Sequence, residues 1–530
     1  MTMTVPTEQL VVGLGAGAAV VYAVSKALSA SKGARHPLPP GPKGLPLLGN
    51  VNDLPPPGVL EAHHWLKHKD LYGPISSVTV LGQTLVIIND PVIANEMLEK
   101  RSVKHSSRPK QIFAGEMLGW ENSLGLSPYN KRFRTYRKNM SRIIGSKASA
   151  AQFNALQEEE VGHFLLHLLE DPEKLVTYIK KEAGAVILKI AYGYTAESHK
   201  DDYLVDMAGD AMEKFARAGV PGAFLVDMLP FLKHLPEWMP GTGFKQTARE
   251  WGGALTQVTE RPYAFVKHQM AQGAHEASFL SQLLEAGDED PEEKWTNKWS
   301  AMSLYTAGAD TTVSSLSCFF LAVMVTPEVQ QKAQEEIDRV VGKDRLPSIA
   351  DRENLPYVDA IVKEVLRWHP VAPMCLPHTS TEDDVYNGYL IPSGAMLFAN
   401  VWHFTHDPEV YEDPATFNPD RFLKAQPEPD PSQYVFGFGR RICPGRLLAD
   451  NALYLNIAQT LAVFQINKPV ENGQVVEPTI RFEPGVVSHP APFQISIKPR
   501  SAHHEQLIKS LEKTYPWKES DSHVLESIKS

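Results

Sequence analysis

The sequence predicts a mainly helical fold with a small, separate β region, an α+β arrangement carried on a single N-terminal transmembrane helix. Three observations support this. Apolar residues recur at helical spacing through most of 150–368 and again over 446–465. Strand-like stretches are short and confined to 75–89, 385–401 and 492–498. An apolar run opens the chain, long enough to cross a bilayer as a helix. With 530 residues, 43% of them hydrophobic, the chain can bury a large core. A formal net charge of −10 argues against a general nucleic-acid binder. Cys318, Cys375 and Cys443 are too few, and too far apart, for a disulfide framework or a zinc ribbon. Reduced thiols suit a body that faces the cytosol.

Taken in order, residues 1–30 are expected to anchor the chain in a membrane. Glu8 is the one charge ahead of the apolar run, and Lys26, Lys32 and Arg35 follow it. The positive-inside rule then puts the N-terminus in the lumen and the body in the cytosol, a single-pass arrangement expected in the endoplasmic reticulum membrane. A cleaved signal peptide competes with this reading, but it carries its positive charge before the apolar run. Gly13, Gly15 and Gly17 imitate a dinucleotide loop, yet they lie inside the membrane segment and have no strand before them. Residues 31–50 are rich in proline and glycine and read as a stiff, non-helical hinge.

Residues 51–500 form the catalytic body. Two strands meet at Leu81-Gly82-Gln83, and Pro91 opens a helix towards Lys100. Helical periods follow at 150–170, 173–193, 200–217, 245–272, 297–325, 327–341 and 357–368. Residues 501–530 are polar with weak periodicity and are expected to form a surface tail.

The chemistry concentrates at FGFGRRICPG, residues 436–445. Phe436, Gly437 and Gly439 permit a tight turn with close backbone approach to a flat ligand. Pro444 can open a helix over 446–465, whose N-terminal N–H groups stabilise a thiolate at Cys443. Arg441 lies two residues earlier, placed to neutralise an anion. In AGADTT, residues 307–312, the small Ala307 and Gly308 let a ligand approach a helix face. Asp310 and Thr311 set an acid and a hydroxyl beside that gap, and Thr311 can bond a carbonyl one turn back. Glu364 and Arg367 share a helix face at spacing i, i+3.

FxxGxRxCxG is the haem-binding signature of the cytochrome P-450 superfamily, and the sequence resembles that superfamily at several further motifs. The resemblance implies haem b (iron protoporphyrin IX) with Cys443 as its axial thiolate. Arg441 becomes a propionate partner, and Phe436, Gly437 and Gly308 line the haem. Residues 307–312 become the oxygen-binding groove, in which Asp310 and Thr311 relay protons. Glu364, Arg367 and Arg421 of FNPDRF become a structural triad, with Asp420 where the family has Glu. Phe133 and Arg137 match a WxxxR helix with Phe in place of Trp, which removes one indole N–H from the propionates and leaves Arg137. His378 is a further propionate candidate, weighed against an ordinary surface histidine. The basic run Lys131, Arg132, Arg134, Lys138 and Arg142, with Arg446, implies docking of an NADPH-dependent flavoprotein reductase, with cytochrome b5 as an alternative electron donor.

The implied activity is insertion of one atom of O2 into a hydrophobic small molecule. The apolar segments 112–118, 215–224, 304–311, 371–376 and 486–489 are expected to line the pocket. The text VPGAFLVDMLP and VWHFTHDPEVY looks like fungal enzymes of secondary metabolism, which points to a terpenoid or polyketide substrate. Two other classes stay open: a haem-thiolate isomerase or dehydratase that uses no oxygen, and a non-catalytic haem protein.

Overall fold

The computed structural model describes residues 36–528 apart from Pro221, Asp288 and Glu289. The expected anchor, residues 1–30, lies outside the described residues. One helix, α6 (Pro291–Val325), organises the rest. Asp290 caps it by accepting from the Glu292 amide, and Pro291 occupies the first turn, where a missing N–H costs nothing. Among the described residues it is the one helix long and apolar enough to span a bilayer, but most of its apolar stretch is buried within the protein. It is the axis of the core.

Two apolar cores meet along α6. Trp299 to Tyr305 pack with α1 (Lys131–Ile144), α3 (Leu175–Tyr192), α4 (Tyr203–Ala218) and α5 (Phe244–Gln272). Val313 to Met324 pack with α2 (Asn154–Glu170), α7 (Pro356–Trp368) and α8 (Arg446–Val463). Between these cores, residues 307–312 are only partly covered, and Ala307 is exposed. A buried helix that opens for less than two turns in mid-length marks an internal site.

The β region is a four-stranded sheet in the order β1 (Ile75–Val80), β2 (Gln83–Ile88), β4 (Met396–Ala399), β3 (His378–Thr379). β1 and β2 form a hairpin closed at Val80 and Gln83. Leu81 and Gly82 both have positive φ, the type I′ geometry that matches strand twist. β2 pairs parallel with β4, and β3 antiparallel with β4, so the sheet brings His378 in from a distant part of the chain.

Two expectations about the ends of the body change. The hinge is joined to the sheet from Pro37 onward. Pro39 and Pro40 carbonyls accept from the Ser77 hydroxyl and amide, at 2.7 and 2.8 Å. A polyproline-like strand has unpaired carbonyls to offer an adjacent edge, so it docks there. At the other end, 501–530 is no loose surface tail. Its helix α9 (Ala502–Thr514) buries His504, Ile508 and Leu511. Tyr515 then fills the notch left by Gly162 on α2, and Trp517 stacks on His163 at 4.1 Å. Four or five anchoring residues at wide spacing give weak periodicity and still bury a helix.

Candidate active site

Cys443 lies in the turn that enters α8. Its amide donates to the Phe436 carbonyl at 2.8 Å and closes the loop. Gly437 and Gly439 both have positive φ, and a Cβ on Gly439 would collide with the Leu98 carbonyl oxygen, so glycine is required there. Burial pushes the Cys443 thiol up, while the Gly445 amide, the cations Arg137 and Arg446, and the Arg446 amide pull it down. Cys318 has no such helpers: it is buried in the apolar core, and burial alone drives it upward. Cys375 lies on the distal loop with burial as its largest influence, away from any helix N-terminus.

Three guanidiniums converge near this loop, from Arg108, Arg137 and Arg441. Arg441 donates to the carbonyls of Ser106 at 2.7 Å, Leu124 at 3.2 Å and Ser127 at 2.6 Å. Arg108 donates to Gly125 at 2.9 Å, Leu376 at 2.7 Å and Pro377 at 2.8 Å. Arg137 donates to Ile442 at 2.6 Å. Every acceptor is a neutral carbonyl. Burial, with Arg108 and Arg137 beside it, pushes Arg441 down to about 8, and burial pushes Arg108 down to about 10. Guanidinium does not release its proton at such values, so this cluster is built around an anion. His378 reinforces the point. It is a core residue, 1% exposed, and not a surface histidine. Its Nδ1 lies 2.6 Å from the His105 carbonyl, whereas its Nε2 is buried without a partner.

The open strip of α6 carries the acid and the hydroxyl. Thr311 Oγ1 donates to the Ala307 carbonyl at 2.8 Å, as its position implied. Asp310 Oδ1 lies 3.1 Å from His489 Nε2. Gly308 is placed differently from expectation. A Cβ there would lie 2.7 Å from Ile187 Cγ1 on α3, so its missing side chain serves helix packing and does not open the groove. An ideal helix turns each successive Cβ by about 100°, and only one of the two small residues can face the gap. Ala307 is the one that does.

Beyond the Arg108 acceptors opens a cavity of about 520 Å³, whose wall includes Ile112, Phe215, Ala218, Met374, Leu376 and Val486. Its lining is mostly apolar; segments 215–224 and 371–376 contribute several residues each, 112–118 and 486–489 only Ile112 and Val486, and 304–311, expected to line it, contributes none. Phe113 does not line it: that ring is fully buried and stacks on Phe224 at 3.4 Å.

The family model described as Cytochrome P450 matches residues 39–497 of this chain. The chain belongs to the cytochrome P450 family. It is 47% identical to Cytochrome P450 monooxygenase ppsD of Aspergillus oryzae, over 93% of this chain and 94% of that protein. It is 49% identical to Cytochrome P450 monooxygenase claR of Ampulloclitocybe clavipes, over 90% of this chain and 89% of that protein. O-methylsterigmatocystin oxidoreductase of Aspergillus flavus is 41% identical, over 96% of each. This P450 is therefore an oxidoreductase, a monooxygenase that carries haem on a cysteine thiolate and works with O2, a redox partner and a small-molecule substrate.

The residues fit that cofactor. Unmatched cations and an open imidazole nitrogen would hold the carboxylates of a haem, and a cysteine with amide donors would supply its thiolate. Away from this site, the P450's Glu364, Arg367 and Arg421 form a closed network. Glu364 accepts two bonds from Arg367, both at 2.8 Å, and one from Arg421 Nε at 3.2 Å. Asp420 takes no part and faces Lys332 at 2.7 Å. Phe133 lies under the Arg441 guanidinium, 3.8 Å from its centre, and so offers a ring face where an indole would offer an N–H. Two residues escaped sequence reasoning. Arg108 belongs to no motif, and only its burial without a carboxylate identifies it. His489 was placed on the pocket wall, but nothing linear tied it to Asp310.

Proposed function

We propose that this P450 hydroxylates or epoxidises a hydrophobic terpenoid or polyketide intermediate of fungal secondary metabolism, with Cys443 as the axial thiolate of haem b. The observation that carries the site assignment is the convergence of Arg108, Arg137, Arg441 and His378 Nε2 near the turn into α8, where the amides of Gly445 and Arg446 and the cations Arg137 and Arg446 all favour a thiolate at Cys443. These four groups would hold the two propionates, and the Gly437–Gly439 turn would bring the backbone close to the ring. Bound haem supplies the oxygen-activating chemistry, its thiolate donating electron density that favours O–O cleavage. The balance is RH + O2 + NADPH + H⁺ giving ROH + H2O + NADP⁺, so protons must reach the site and bulk water must not. Thr311 Oγ1, held by the Ala307 carbonyl, is the atom at which we place proton transfer, with Asp310 beside it as the acid. The apolar cavity orients the substrate and excludes water. The name of the Aspergillus flavus relative, an oxidoreductase acting on O-methylsterigmatocystin, supports the substrate class.

Electrons come from an NADPH-dependent flavoprotein reductase, with cytochrome b5 as an alternative donor. The basic face supports this: Lys131, Arg134, Lys138, Arg142 and Arg446 are exposed, while Phe133, Tyr136 and Met140 of the same helix point into the core. Residues 1–30 would tether the protein to the endoplasmic reticulum membrane with this face in the cytosol.

Carbon monoxide added to the dithionite-reduced protein tests the ligand. Wild type, Cys318→Ser and Cys375→Ser are expected to keep the Soret position of thiolate ligation, and Cys443→Ser to lose it. A thiolate band that survives in Cys443→Ser overturns the assignment. Incubation with reductase, NADPH and a panel of apolar terpenoids and polyketides tests the activity, the expected product being the substrate mass plus one oxygen. NADPH consumed in the presence of substrate, with no oxygenated product from any of them, would count against the proposed substrate class.

A further inference from the structure

Asp310 has one ionic partner among the described residues, and it comes from a loop far along the chain. His489 Nε2 lies 3.1 Å from Asp310 Oδ1. The loop 483–490 that carries His489 is fastened on several sides around Ser488. The Ser488 amide donates to the Val371 carbonyl at 2.9 Å, and its hydroxyl donates to the Glu483 carbonyl at 2.7 Å. The Ser488 carbonyl accepts from Ser314 Oγ, one turn beyond Asp310 on α6, at 2.6 Å. His369 Nε2 lies 2.9 Å from the Ser488 hydroxyl, and its ring stacks on Phe482 at 3.6 Å. Within the loop, the Glu483 amide donates to the His489 carbonyl at 2.8 Å. The residue before His489 is thus bonded to the same helix that carries Asp310 and Thr311, and the His489 carbonyl is held within its own loop. A side chain placed so firmly loses little entropy in making one contact.

We propose that His489 is a positioning residue for proton delivery: it holds the Asp310 carboxylate by an ion pair and resupplies it with protons. The proposal rests on the reading of Asp310 and Thr311 as the proton-transfer pair. Imidazole is suited to the task because its ordinary titration spans neutral pH, so it can both give and regain a proton during turnover. The other ionisable groups on the surrounding elements are His369, at the end of α7, and Arg481 and Glu483, on the loop itself, which pair with each other at 2.8 Å. Burial and His489 push His369 down to about 3, so it stays neutral and does not compete for Asp310. Each turnover takes up two protons and two electrons for one O2, the electrons coming from NADPH through the reductase. His489 would pass one proton to Asp310, and Asp310 one to the Thr311 hydroxyl, with each group then recharged from water.

The test compares wild type, His489→Gln, Asp310→Asn and the double variant, each first shown to give the thiolate carbonyl band. Gln can hydrogen-bond to Asp310 but cannot titrate. With reductase, NADPH and 7-ethoxycoumarin as the probe, His489→Gln is expected to lower product per NADPH about tenfold and to release the difference as hydrogen peroxide. Its yield should vary less with pH than that of wild type, because Gln cannot exchange a proton with Asp310. Asp310→Asn should lose at least as much, and the double variant no more than Asp310→Asn, because residues that act as a unit are not additive. A second readout is independent of turnover. In the diamagnetic ferrous carbonyl form, the His489 ring resonances should move between wild type and Asp310→Asn at one fixed pH, because the carboxylate 3.1 Å from Nε2 has lost its charge. Unmoved resonances, or a His489→Gln variant with wild-type yield beside an impaired Asp310→Asn, overturn the role of His489. An unimpaired Asp310→Asn overturns the underlying reading of Asp310.

Discussion

Two clusters of arginine are drawn into the interior, one near the Cys443 turn and one away from it, and they differ in whether their charge is answered. Arg367 and Arg421 meet two carboxylates, Glu364 and Glu428, and their remaining N–H groups reach carbonyls of Thr405, Pro414, Thr416 and Glu412. Arg108, Arg137 and Arg441 meet carbonyls and, among the described residues, no carboxylate. The first cluster is complete without a ligand and therefore structural. The second lacks a counter-charge among the described residues, and a dianion such as the haem propionates would supply it. Arg367 and Arg421 are fully buried, Arg108 nearly so, and Arg137 and Arg441 partly covered, so burial grades the five without explaining them. The sign balance separates the two clusters.

The comparison predicts that the two clusters respond unequally to losing a guanidinium. The largest effect belongs to the closed one. Arg367→Ala leaves the buried Glu364 with Arg421 as its one remaining guanidinium and strands the carbonyls of Thr405 and Pro414, so it should cost about 3–5 kcal/mol. The result is protein that unfolds at much lower urea concentration and yields little thiolate carbonyl spectrum. Wild-type urea stability in Arg367→Ala would erase the distinction between the clusters.

Arg441→Met probes the open cluster. It removes one of three crowded like charges while keeping apolar volume over the Phe133 ring. The haem-free protein should lose much less stability than Arg367→Ala, because removal of an unanswered cation offsets the loss of its bonds to the Ser106, Leu124 and Ser127 carbonyls. The haem-bound protein should suffer, retaining haem with an affinity lower by about 2–5 kcal/mol, the usual cost of truncating one side of a buried charge pair. Competition for haem by apomyoglobin measures it. A variant whose haem-free form is strongly destabilised would show that Arg441 is structural, like Arg367.

This contrast also shows what was legible in the linear sequence. The helices were, because their apolar spacing is local: α3, α6 and α8 lie within a few residues of their periods, apart from the first turns of α6. Cys443 and Arg441 could be assigned because the turn that aims them is encoded in a few adjacent residues. The answered and unanswered arginines could not be told apart. Arg367 and Glu364 share a helix, but Arg421 reaches them from more than fifty positions away, and Arg108 meets Arg441 only when the fold closes. Gly308 illustrates a finer limit. Composition revealed that it is small, and only the packing of α3 against α6 revealed which way the space points. Likewise His378 and the helix after Arg500 owe their burial to partners distant in the chain. Local chemistry was readable, and the direction in which a side chain faces was readable only where a helix or tight turn dictates it.

The smallest prediction concerns a third kind of buried charge, one with no counter-ion at all. Glu182 on α3 is 4% exposed, and its carboxyl meets only the Asn456 amide of α8, at 3.2 Å. Its second oxygen has no partner. Burial pushes this carboxyl up to about 8, with the Asn456 bond opposing. Unlike the arginines, a carboxyl can escape by staying protonated. The folded state then binds one more proton than the unfolded state between the ordinary carboxylate range and about pH 8. Stability from this site is therefore full at acid pH and is lost as pH rises through that window. Glu182→Gln fixes the neutral form. It should leave thermal stability near pH 4.5 unchanged and raise it by at least about 1 kcal/mol near pH 8, since a tenfold difference in proton affinity between the folded and unfolded chain is worth about 1.4 kcal/mol. Melting curves of the two proteins across this range should coincide at acid pH and diverge towards alkaline pH. Parallel curves would mean that Glu182 is ionised in the fold and answered by a group other than Asn456, which would move it into the class of Glu364.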